Sequence, residues 1–110
     1  MAIPLMMQFD VFENPSPTSR KSVPLILILQ HDQASETDSV VVAGLSSLPK
    51  ASKMAKSRLY PSLQVKGKSY QMITTNVATI RRSVLQKHVA NLELERRKII
   101  DAIDMLFTGI

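Results

Sequence analysis

Apolar residues fall in short groups along the chain, and the last group alone has a helical period. Met7, Phe9 and Val11 alternate with Gln8 and Asp10, which predicts a strand with one wet side. Residues 23–29, VPLILIL, are apolar throughout and predict a strand covered on both faces, with Pro24 limiting pairing at its start. Val40, Val41 and Val42 predict a short buried strand. Leu63 and Val65, the turn residues Lys66-Gly67-Lys68, and the alternation of Tyr70, Met72 and Thr74 with Gln71, Ile73 and Thr75 predict a β-hairpin. Val77 and residues 80–85 suggest another strand, bent at Arg81-Arg82. Val89, Ala90 and Leu92 lead into the closing helix.

Polar and Pro/Ser-rich stretches punctuate these groups. Residues 14–22 and 31–39 read as loops. Residues 44–58 are weakly helical, Pro49 interrupts them, and one helical turn with a basic surface loop is expected there. Residues 1–6 read as an extension, Met7 is a plausible start, and residues 7–110 form one domain. Several short antiparallel strands followed by one helix favour a small β-barrel or rolled sheet with the helix packed on it, mainly β (α+β) in class.

The closing stretch, 95–110, organises the rest. Ile99, Ile103 and Leu106 recur at steps of four and three, with Ile100, Ala102 and Phe107 beside them. Glu93, Arg97, Asp101 and Asp104 form the opposite side, Glu93 is four residues before Arg97, and Asn91 suits an N-cap. Two features are unusual. Asp104 lies in the last turn, where a carboxylate opposes the backbone dipole at a cost of about 0.3–1 kcal/mol. Phe107-Thr108-Gly109-Ile110 then closes the sequence with no polar tail. Gly109 suits a left-handed helix stop, with Ile110 folding back on Met105, and such a stop would also hold a small apolar end in place for a partner.

Composition narrows the classes. With 110 residues and a hydrophobic fraction of 45%, the chain can bury one modest core and is not a disordered segment. It has no cysteine, hence no disulfide framework and no thiolate metal site, which fits a reducing cytoplasm. No apolar run has the length of a membrane span and no signal peptide is recognisable. The net charge of +5 permits contact with phosphates or an acidic protein, but three Phe, two Tyr and no Trp offer little stacking surface for bases.

Little here has the pattern of a catalytic centre. His31 and His88 are far apart in sequence and belong to no ligand cluster, so no metal or cofactor is expected. Lys50, Lys53, Lys56 and Arg58, Arg81-Arg82, and Arg96-Arg97-Lys98 are basic runs that a solvated surface explains.

Met7-Gln8-Phe9, Leu59-Tyr60-Pro61, Met72-Ile73-Thr74-Thr75, Val89-Ala90-Asn91-Leu92 and the closing Ala102-Ile103 through Gly109-Ile110 occur in one order over nearly the whole chain. In that order and spacing the sequence resembles the CcdB toxins of bacterial toxin–antitoxin modules. The resemblance implies a homodimer of SH3-like barrels, a fold also seen in the MazF and Kid toxins. It implies binding to the A subunit of DNA gyrase, trapping of gyrase on cleaved DNA, and neutralisation by a CcdA-like antitoxin with a disordered C-terminal half. Neither a membrane nor sequence-specific nucleic acid is implied as a partner, and no catalytic residue is required. By position, the gyrase contact becomes Asp104, Phe107, Thr108, Gly109 and Ile110, with Gln33 and Ala34 as a possible second contact.

The sequence departs from the best-known CcdB at several of these positions. That toxin has Trp where this chain has Thr108, Asn where it has Asp104, and a pair of isoleucines where Gln33 and Ala34 stand. Loss of the Trp removes a large interface anchor, worth about 2 kcal/mol or more. Two other outcomes are carried forward: an mRNA endoribonuclease of the MazF/Kid kind, whose best acid–base candidates are His31, Arg81 and Thr74, and a binding module without toxicity.

Overall fold

The computed structural model describes residues 6–32, 38–47 and 58–109. Six strands, β1 (Asp10–Glu13), β2 (Leu25–Ile28), β3 (Ser39–Ser46), β4 (Ser62–Val65), β5 (Lys68–Arg81) and β6 (His88–Asn91), precede one helix, α1 (Arg96–Thr108). The strands form one antiparallel sheet in the order β4-β5-β3-β2-β1-β6, rolled into a nearly closed small barrel with α1 packed on it.

The sheet buries both faces, which explains the unbroken apolar run in β2. Leu25 and Leu27 point inward with Phe9, Val11, Ala43, Leu45, Leu63 and Met72, and α1 adds Ile99 and Ala102 to this cluster. Ile26 and Ile28 point outward to Phe12, Val40, Val42 and Leu85, with Val23 and Ile80 packed at the margin. Gly44 lies in β3 under Val23, where an added Cβ would come within 2.6 Å of Val23 Cγ1. The expected helical tendency from Gly44 is therefore corrected through Ser46, which continues β3 by pairing with Gln71. The rest of that weakly helical segment, 48–57, lies outside the described residues.

The hairpin forms as its sequence predicts. Val65 pairs with Lys68 across the two-residue turn Lys66-Gly67. Both turn residues have positive φ, +50° and +81°, the geometry of a type I′ turn. The strand after it differs from expectation, because β5 runs unbroken through Val77 to Arg81. Between the pairs Val42–Ala78 and Gly44–Ile73, β5 takes five steps while β3 takes two. This irregularity at 74–77 accounts for the apparent sequence break, while a 3-10 turn at Arg82–Val84 supplies the actual end.

Two further expectations are corrected at the start and close of the barrel. Phe9 has φ +71°, so the strand begins at Asp10 and not at Met7. Asp10 is also buried, not wet: its carboxylate accepts hydrogen bonds from the Met7 N–H at 2.8 Å and Asn91 Nδ2 at 3.0 Å, and lies 3.0 Å from His88 Nε2. Those last two residues belong to β6, a strand where a lead-in to the helix was expected. Its four residues, HVAN, carry too little apolar patterning to announce a strand, and pairing with β1 supplies the order.

Candidate functional site

Residue by residue, the closing helix changes from anchored to free. Asn91 is not the N-cap expected of it: a 3-10 turn, Glu93–Glu95, precedes α1, Leu92 and Glu95 hold the two N-cap positions, and Asn91 Oδ1 accepts the Glu93 N–H at 2.9 Å from one residue further out. With three residues per turn there, Glu93 reaches Arg96 at 3.9 Å, in place of the expected pair with Arg97. Arg96 stands over the Phe9 ring at 5.5 Å. Glu95 Oε2 accepts the Gln64 N–H at 2.9 Å, and Lys98 Nζ donates to Ser62 O at 3.3 Å. The backbone of edge strand β4 is thereby satisfied by helix side chains, which blunts the edge. Ile99 and Ala102 are fully buried.

Ile103 still packs against the core cluster, and beyond it the cover of the barrel falls away. Ile103, Met105 and Leu106 are half-buried, whereas Asp104, Phe107, Thr108 and Gly109 are exposed, Phe107 at 71%. The apolar helix side expected to pack on the barrel thus stops short of Phe107. A large aromatic side chain left in water at a helix end stabilises no core and is available for contact. Gly109 closes the helix as its sequence predicts: φ is +75° and its N–H donates to Met105 O at 3.1 Å. Thr108 Oγ1 donates to Asp104 O at 2.7 Å, a further tie across the last turn. Ile110, Gln33 and Ala34, and the contact expected between Ile110 and Met105, lie outside the described residues.

One residue of this site was not singled out from the sequence. Arg58, placed there in a loose basic run, forms a two-pronged pair with Asp101: Nε to Oδ2 at 2.8 Å and an outer guanidinium nitrogen to Oδ1 at 2.7 Å. The hydrogen bond, aided by charge, holds the Asp101 carboxyl below its ordinary range and raises the Arg58 guanidinium above its own. Asp104 also raises Arg58 through its charge. Forty-three residues separate Arg58 from Asp101, so spacing alone gave no signal of the pair.

The endoribonuclease candidates are not brought together. Thr74 is fully buried, and its Oγ1 has no hydrogen-bond partner among the described residues. Arg81 is exposed at the far end of the same strand, seven positions on and therefore on the order of 20 Å away. A buried hydroxyl and a guanidinium at that separation cannot act on one phosphate. Among the described residues no cluster of His, Asp and Glu could hold a metal ion, and no helix is long and apolar enough to cross a membrane.

A family model described as CcdB protein matches residues 8–109. The chain belongs to the CcdB family. Its barrel and closing helix accord with that membership, and the match includes Asp104, Phe107, Thr108 and Gly109. CcdB family membership marks this chain as a toxin-type component of a toxin–antitoxin system.

Proposed function

We propose that this CcdB-family protein poisons DNA gyrase by docking the end of α1 on the gyrase A subunit and holding the enzyme on cleaved DNA. The observation that carries the reading is Phe107, 71% exposed on a helix end that Gly109 stops in a fixed conformation. Asp104, Thr108 and Gly109 are exposed around it, and Ile110 would complete the contact. A fixed apolar end loses little conformational freedom on docking.

In this reading residues 7–110 act as one domain in a homodimer. A twofold axis would present two helix ends to a symmetric gyrase dimer. Tighter binding to gyrase with its DNA cut than to gyrase with its DNA sealed shifts the enzyme toward the cut state, and no catalytic side chain is needed. The net charge of +5 favours an acidic, CcdA-like antitoxin segment that orders as it binds and removes the toxin from gyrase. Thr108 offers a smaller surface than the Trp of the best-known CcdB, so potency toward a given gyrase is expected to differ from that toxin's.

The test is gyrase-mediated DNA cleavage with purified protein. Linear DNA should accumulate with the full chain and not with a chain lacking Gly109 and Ile110. Equal cleavage with and without those residues overturns the docking reading, and RNA cleavage by pure protein would replace it with the endoribonuclease.

A further inference from the structure

Glu95, just before α1, and Lys98 within it bond to β4, while Ile99 and Ala102, with Ile100 and Ile103 at the margin, make its core contacts. Arg58 reaches the exposed side of the helix from outside it, through two side-chain hydrogen bonds to Asp101. Asp101, Asp104 and Thr108 are spaced by three and four residues and share one helix face. Arg58 grips the first of them through two nearly parallel hydrogen bonds, the geometry that fixes direction as well as distance. It also brings a positive charge to a helix C-terminal half that carries two carboxylates and no cation of its own. That half would otherwise repel itself and oppose the backbone dipole.

We propose that Arg58 is a positioning residue for the docking end of α1: its fork on Asp101, with its charge beside Asp104, sets the direction in which Phe107 and Thr108 are presented. The partner contacted is the one of the gyrase reading, on which this part rests; the latch itself stands on the geometry alone. Arg58 is the last residue of the basic run Lys50, Lys53, Lys56 and Arg58, so the latch also fastens that run's end to the helix.

Two readouts on Arg58→Ala, Arg58→Lys and the exchanged pair Arg58→Asp with Asp101→Arg separate the latch from its use. The first is amide hydrogen exchange resolved by residue. Arg58→Ala should speed exchange at residues 105–109 severalfold while the β2 and β3 amides keep their protection, which a general loss of stability would not do. Arg58→Lys should recover only part of this, because an ammonium cannot make the fork. The exchanged pair should restore it. The second is affinity for purified gyrase A subunit, expected to fall roughly three- to fivefold in Arg58→Ala and to return in the exchanged pair. Unchanged exchange at 105–109 in Arg58→Ala, or no recovery in the exchanged pair, overturns the latch. Faster exchange beside a wild-type chain that ignores gyrase supports the latch and overturns the gyrase reading.

Discussion

The two halves of α1 are built from similar residues and are used in opposite ways. In the first half Ile99 and Ala102 are sealed in the barrel core, and Glu95 and Lys98 fasten the helix to β4. In the second half Phe107 stands in solvent; Gly109 is tied to Met105 and Thr108 to Asp104 within the last turn, and Arg58 reaches Asp101 at the join from a distant part of the chain. Burial stabilises a fold, whereas an exposed aromatic ring does not, so the second half is free to vary with its partner. Stability and docking are thereby assigned to different turns of one helix.

Truncation in the two halves should separate the effects most sharply. Ile99→Ala removes a fully buried side chain and should cost about 2–5 kcal/mol in denaturant unfolding. Phe107→Ala should change stability by no more than about 0.5 kcal/mol and yet abolish growth arrest when the chain is expressed. A large stability loss from Phe107→Ala would erase the division.

Gly109 sharpens the same comparison. Its φ of +75° disfavours any side chain, so Gly109→Ala should lower stability by about 1 kcal/mol and weaken growth arrest without altering the barrel. Thermal unfolding and a titration of inducer measure the two effects. A smaller loss is expected from Glu95→Ala, which leaves the Gln64 N–H to water: about 0.5–1 kcal/mol, read from the denaturant midpoint at unchanged slope.

The effect of pH on the join is the smallest. Asp101 has its folded pKa below its unfolded value, so its contribution is complete above about pH 4 and is lost as pH falls through and below that point. Arg58 is shifted upward and contributes at every pH in that window. The stability gap between wild type and Asp101→Asn should therefore be larger at pH 7 than at pH 3; a gap that widens on acidification would contradict the pairing.

Much of this architecture was legible in the sequence because its signals are local. Lys66-Gly67 announces a two-residue turn, VPLILIL a strand covered twice, and Gly109 a helix stop. What escaped depends on distant partners. Four residues, HVAN, become β6 only by pairing with β1, and Asp10 is buried only because Asn91 and His88 come to it from 81 and 78 residues away. Gly44 reads as the start of a weakly helical stretch until its pairing within β3 and Val23 above it are seen. At the candidate site, Asp104 and the apolar end stood out as locally costly features. Periodicity places Phe107 on the packing side, because it gives a helix face but not where the barrel beneath that face ends. Arg58 was invisible for the same reason as Asp10.

The most direct measurement is calorimetric titration of purified gyrase A subunit with the folded chain and with Phe107→Ala. The account predicts saturable binding by the wild type and at least a tenfold loss in the variant, equivalent to about 1.4 kcal/mol, with circular dichroism and unfolding midpoint unchanged. Equal affinity of the two proteins for gyrase would contradict it.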